Sequence, residues 1–178
     1  MKPAQGNRMV AIVAIAAVMA GCASTDPGGT AASSSPDERT TGVGATFADQ
    51  AVEVCNRSLA DKATWAPFPV ADFNPFTPDS SAFPQVSTWL TDEVAPTFQA
   101  WLDGLEALGP PPSGQDGWND VLAAVERIDQ LNGDQIAAAD AGERARFAAA
   151  TAALDATQDD LVTAAEVAGV PECAEVHA

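Results

Sequence analysis

Four stretches of the chain place apolar residues every three to four positions, and proline or glycine interrupts the intervals between them. In the first, Phe47, Ala51, Val54, Cys55 and Leu59 share one face, while Asp49, Glu53, Arg57 and Asp61 lie off it, which predicts a helix from about Phe47. The second runs from Gln85 to Leu108 with Val86, Leu90, Val94, Phe98, Trp101, Leu105 and Leu108 as its stripe. Pro96 falls inside it. An interior proline lacks an N–H and costs about 3 kcal/mol, so a kink or two shorter helices are expected there. Gly109 followed by Pro110, Pro111 and Pro112 ends the pattern.

After a short turn over Ser113 to Gly117, the third stripe is Trp118, Val121, Leu122, Val125, Ile128, Asn132, Gln135 and Ala139. Gly133 weakens it locally by about 1 kcal/mol relative to alanine. Asp140 and Glu143 have the spacing of a capping box, with Asp rather than Ser or Thr at the cap, which places the turn between the third and fourth helices there. The fourth pattern shows Phe147, Leu154, Leu161 and Ala168 seven apart, with Ala150, Thr151, Thr157 and Ala165 between them. A seam that narrow permits close antiparallel approach to the third helix. Gly169 suits a C-cap, and Pro171 bars continuation. Glu143 with Arg146 and Asp140 with Arg144 are expected as weak exposed ion pairs.

Between the first two helices, Ala63 to Pro84 breaks every periodicity. Pro67, Pro69, Pro75, Pro78 and Pro84 alternate with Trp65, Phe68, Phe73, Phe76 and Phe83. Extended at about 3.1 Å per residue, this segment is long enough to run the length of a helix, which permits the first and second helices to be parallel. Structureless loops of this length are often functional. The segment reads first as a hydrophobic lid over an alanine-rich core, and second as a surface where those five aromatic residues meet a partner or ligand. The whole predicts an all-α, four-helix bundle-like domain over residues 47–178 with one long Pro/aromatic crossover.

Upstream of the helices, Lys2 and Arg8 precede an unbroken apolar run from Met9 to Ala20, and Met19-Ala20-Gly21-Cys22 follows. Twelve apolar residues are too few to span a bilayer, so this reads as a signal peptide. The segment resembles a bacterial lipoprotein signal, in which Ala20, Gly21 and Cys22 match the lipobox and Met19 stands where leucine is commonest. That resemblance implies cleavage after residue 21, a diacylglycerol thioether on Cys22 and an acylated amino group, palmitate being the usual chain. An ordinary secretory signal beside an incidental thiol is the alternative. Residues 22–46 are rich in Ser, Thr, Gly, Pro and Ala and read as a disordered tether spanning about 25–30 Å. The lipobox, the Leu-Gly-Pro-Pro-Pro stop, the Ala/Asp-rich hairpin and the Gly-Val-Pro-Glu-Cys ending together resemble helical lipoproteins of actinobacteria, a likeness that supplies no activity.

Charge narrows the partners. Without the signal, six basic residues face 25 acidic ones, a formal charge of −19. Phosphate backbones and anionic headgroups repel such a surface, so nucleic acid is excluded and the anchor at Cys22 is the expected membrane contact. If Cys22 carries lipid, Cys55 and Cys173 remain, and outside the cytoplasm such a pair is most simply a disulfide; two free thiols are the other possibility.

Little here suggests catalysis. His177 is the single histidine and is expected to be solvated, which removes catalytic triads and His-based metal sites. Asp92-Glu93 and Asp159-Asp160 diverge by about 100° on a helix, and Asp103 with Glu106 reads as a solvated face. No cofactor or metal is expected. The sequence thus predicts a protein lipid-anchored to the outer face of a bacterial membrane, a non-catalytic module binding an envelope partner. A carrier of a lipid or other apolar ligand in the bundle interior, and a carboxylate-only hydrolase, are the rival readings.

Overall fold

The computed structural model describes residues 45–112 and 116–177. The signal, Cys22 and nearly all of the tether lie outside the described residues. The domain is an all-α bundle: α1 (Phe47–Lys62), α2 (Phe83–Trp89), a π-helical turn (Leu90–Val94), α3 (Ala95–Glu106), α4 (Trp118–Asp140), α5 (Arg144–Ala168) and a short α6 (Glu172–Glu175).

The apolar stripes become the core. Trp101, Leu105, Ile128 and Leu161 are fully buried, as are Phe83 and Trp118 to within 1%. The most extensive contact is between α4 and α5, where Ala138, Ala139, Ala164, Ala165 and Ala168 are buried; small side chains let the two axes approach closely. Across the same seam Gln135 Nε2 donates to Thr151 Oγ1 at 2.9 Å, and Asp134 meets Arg146 at 2.9 Å. At the other end of the seam, Gly117 before α4 lies against Val167 near the end of α5, whereas Gln135 far along α4 meets Thr151 early in α5, so the pair is antiparallel, as the seam predicts.

Two expectations change. First, α1 is antiparallel to α3. Val54 lies against Gly104 and Cys55 against Trp101, whereas Trp65, just past α1, reaches Thr97. The long segment does not carry the chain along α1. It lies along α2 instead, from Trp65 beside Thr97 to the 3₁₀ turn Ser80–Ala82 that opens into α2.

Second, Asp140 and Glu143 do not cap α5. Asp140 ends α4, and Glu143 makes no side-chain capping bond. Gly142, at φ 70°, closes α4 instead: its N–H donates to the Ala139 carbonyl, and the Glu143 N–H donates to the Ala138 carbonyl at 2.8 Å. A glycine two residues past the helix end accepts the left-handed conformation this closure needs, so Asp140 is kept as the last residue of α4 and is not free to cap α5. Asp140 accepts from Ser87 Oγ rather than pairing with Arg144. The expected Glu143–Arg146 pair is present at 3.6 Å. The capping box sits at the start of α1, where Thr46 Oγ1 accepts from the Asp49 N–H and Asp49 accepts from the Thr46 N–H.

At Pro96 the stripe divides, as expected, into two shorter helices, α2 and α3, which meet through the π-helical turn without a break in the run. Having no N–H, Pro96 cannot donate to the Asp92 carbonyl, and the ladder widens one turn earlier: the Ala95 N–H reaches back to the Leu90 carbonyl. Thr97 Oγ1 donates to the Glu93 carbonyl at 3.1 Å and so helps close the widened turn.

The last helix joins the ends of the bundle. Gly169, at φ 71°, closes α5 as expected, and α6 then packs on both α1 and α5. Cys173 bonds to Cys55 across that contact, with an S–S distance of 2.02 Å, and Trp101 Nε1 donates to Cys55 Sγ at 3.4 Å. Among the described residues, no helix is long and apolar enough to cross a membrane.

Candidate functional site

The five aromatic residues singled out in the crossover separate by depth. Phe83 is 1% exposed and stacks on Phe147 with ring centroids 5.2 Å apart. It is core, not a contact surface: it opens α2 on the face that meets the bundle, and no partner reaches it while the domain is folded. Phe73 is half-buried with its edge against Phe147 at 5.8 Å. Trp65 is also half-buried, and its Nε1 donates to Thr97 Oγ1 at 2.9 Å. These three make the segment a lid. Phe68 and Phe76 remain 41% and 50% exposed.

The lid is fastened to the widened turn. Trp65 packs edge-on to Trp89 at 5.5 Å, and Trp89 Nε1 donates back to the Ala66 carbonyl at 2.8 Å. Phe68 then lies edge-on to Trp89 at 5.1 Å. Indole N–H groups at the rim of a core need acceptors, and here each has one supplied by the partner segment. Trp89 and Thr97 are thus the residues the sequence reading missed. One signal was present: Trp89 falls off the stripe Val86, Leu90, Val94, and a tryptophan off the core face implies cover from elsewhere.

Two grooves flank this strap. One, of about 420 Å³, is lined mainly by Pro67, Pro69, Pro84 and Trp89, with Asp92 and Glu93 at its edge. The other, of about 300 Å³, is lined by Asp61, Trp65 and Pro96 and includes the same Asp92 and Glu93. On the far side of the lid, a groove of about 780 Å³ has Phe76 and Pro78 on one wall and Arg144 and Arg146 on the other. Arg146 is already engaged by Asp134 and Glu143 there. A further groove, of about 460 Å³, follows the outer edge of the α4–α5 seam past Asp120, Arg127 and Asp160.

The acidic residues are arranged differently from their sequence spacing. Asp92 and Glu93 border the same grooves although they diverge on the helix. Asp103 accepts from Gln99 Nε2 at 2.9 Å and also bears on Asp129 of α4. Burial, and then the Asp103 charge, raises the Asp129 carboxyl above its ordinary value. Among the described residues, no three His, Cys, Asp or Glu side chains converge as a metal site would require.

His177 is not solvated. Its Nδ1 lies 2.9 Å from Gln158 Oε1, and its ring packs edge-on to Phe98 at 5.8 Å. Attachment through Cys173 holds the chain end in place, with Lys62 Nζ donating to the Val176 carbonyl at 3.1 Å. Burial holds the imidazole below its ordinary value; Lys62 acts in the same direction and Asp155 against it.

Compared with known proteins, the chain matches no family model, no curated protein and no solved structure.

Proposed function

We propose that this protein is a lipid-anchored, extracytoplasmic interaction module, held to the outer face of a bacterial membrane through Cys22 and binding an envelope partner through the outer rim of its Pro/aromatic lid. One observation carries the choice of surface. Phe68 and Phe76 are the large aromatic side chains left exposed among the described residues, and both lie on that segment. Aromatic rings presented by an anchored strap are the kind of group that dominates binding energy at interfaces. The bundle interior is filled by the tryptophan, leucine and alanine side chains of its own helices, so no observation favours the carrier reading.

The test substitutes both exposed rings, Phe68→Ser with Phe76→Ser, and crosslinks intact cells. Loss of a specific crosslinked envelope protein, with unchanged melting temperature, supports the reading; an unchanged crosslink pattern overturns it. Point variants are the right tool, because removing Ala63 to Phe83 would also remove the buried Phe83 and unfold the domain. Fractionation of a Cys22→Ser variant tests the anchor by itself: it should leave the membrane fraction.

A further inference from the structure

We infer that the paired grooves beside Trp89 form a single docking track for an extended, cationic peptide segment of a partner protein, with an apolar and proline-rich stretch at one end and lysine or arginine at the other. This deepens the proposed interaction role and rests on it.

The two grooves adjoin. Both include Asp92 and Glu93, and together they follow the solvent side of one continuous helical run from Pro84 to Ala100. Sixteen steps at 1.5 Å make a track of about 24 Å, the length of about seven extended residues. Its far wall is the strap, kept at fixed spacing by the paired indole bonds, Trp65 to Thr97 and Trp89 to Ala66. The track is therefore preformed, which lowers the ordering cost of binding.

Its chemistry is polarised. Pro67, Pro69, Pro84 and Trp89 make one end apolar and ring-faced, and Phe68 extends that surface from its edge-on contact with Trp89. Asp92 and Glu93, common to both grooves, make the middle of the track acidic and Asp61 extends that charge into the second groove, and no lining residue of either groove is basic. Lys62 borders the second groove without lining it: its Nζ lies 5.9 Å from the centroid of the Trp65 ring and donates to the Val176 carbonyl. An apolar floor beside three carboxylates, with one lysine at their margin, selects a segment with the complementary order: apolar residues to bury, and cations to meet Asp92, Glu93 and Asp61. The wider negative charge of the domain would speed encounter with such a segment.

The experiment uses the purified full chain in nonionic detergent and a fluorescein-labelled probe, Leu-Pro-Leu-Pro-Arg-Ala-Arg-Arg, together with the same residues in reverse order. Fluorescence anisotropy should show saturable binding of one of the two, at least tenfold tighter than a version with glutamate for each arginine or with alanine for each leucine and proline. Asp92→Asn with Glu93→Gln should weaken it at least tenfold. Asp120→Asn with Asp160→Asn, the same change in net charge on a different groove, should alter it less than twofold. Equal weakening by the two double variants, equal binding of the alanine version, or no binding of either order overturns the inference.

The outcome separates from the broader proposal. If the cellular crosslink is lost on Phe68→Ser with Phe76→Ser while Asp92→Asn with Glu93→Gln changes neither crosslink nor peptide binding, the interaction role stands and the track does not. If the carboxylate pair abolishes both while the ring substitutions abolish neither, the track stands and the exposed rings are not the contact.

Discussion

Gly104 shows how little room single positions have in this bundle. A β-carbon there would lie 2.8 Å from Val54 Cγ1, inside contact distance of a β-branched side chain that cannot swing aside. Gly104→Ala is therefore expected to destabilise the domain by about 1–3 kcal/mol in urea unfolding, although alanine is the better helix former. Combining it with Val54→Ala should recover part of that loss. His177 offers a second test at this scale. The fold prefers the neutral ring, so this contribution is complete above the unfolded value of 6.5 and is lost as pH falls through the lowered folded value. Between pH 7.5 and 5, the wild-type melting temperature should drop more steeply than that of His177→Gln. Parallel curves would mean that the imidazole is equally protonated in the folded and unfolded chains.

The widened turn and the strap are one device at the scale of elements. Pro96 forces the ladder open, Thr97 Oγ1 returns a donor to Glu93, and the same hydroxyl accepts from Trp65. Thr97→Val keeps the shape and removes both bonds, leaving the Trp65 N–H without its acceptor. A cost of about 1–3 kcal/mol is expected, with faster hydrogen exchange at Trp65 Nε1 and a local rise in protease cutting between Ala66 and Thr77. Global loss of stability without that local signature would mean the strap is held by its rings alone. The helices themselves were legible because each buries one stripe, and Val86 through Leu105 or Phe147 through Ala168 read correctly from spacing. The π turn was not, since a proline inside a stripe is compatible with a kink, a break or a widened turn, and only the neighbouring Thr97 and Trp65 decide among them.

For the whole molecule, α6 and its disulfide close the bundle between α1 and α5. The bridge joins positions 118 apart in sequence, and the chain-entropy model gives roughly 4–5 kcal/mol for a loop of that size. Reduction of the pair, or Cys55→Ser with Cys173→Ser, should lower unfolding free energy by about that amount and free the segment carrying His177. Trp101, whose indole N–H meets Cys55 Sγ, should report the reduction by fluorescence, and an unchanged denaturation midpoint would show that the contact between α6 and α1 holds without it.

The sequence by itself determined the helical class, the four long stripes and the Gly169 stop, because each depends on local spacing; it offered Cys55 and Cys173 as a pair, and the contact of α6 with α1 is what joins them. The direction of α1 against α3, the use of the crossover as a strap along α2 and the placing of Asp92, Glu93 and Asp61 beside one track depended on tertiary structure. Helical periodicity states which face is buried and carries no information about what is buried against it. Phe68, Phe73 and Phe83 have the same sequence signature, and only their distances to Trp89 and Phe147 separate rim from core.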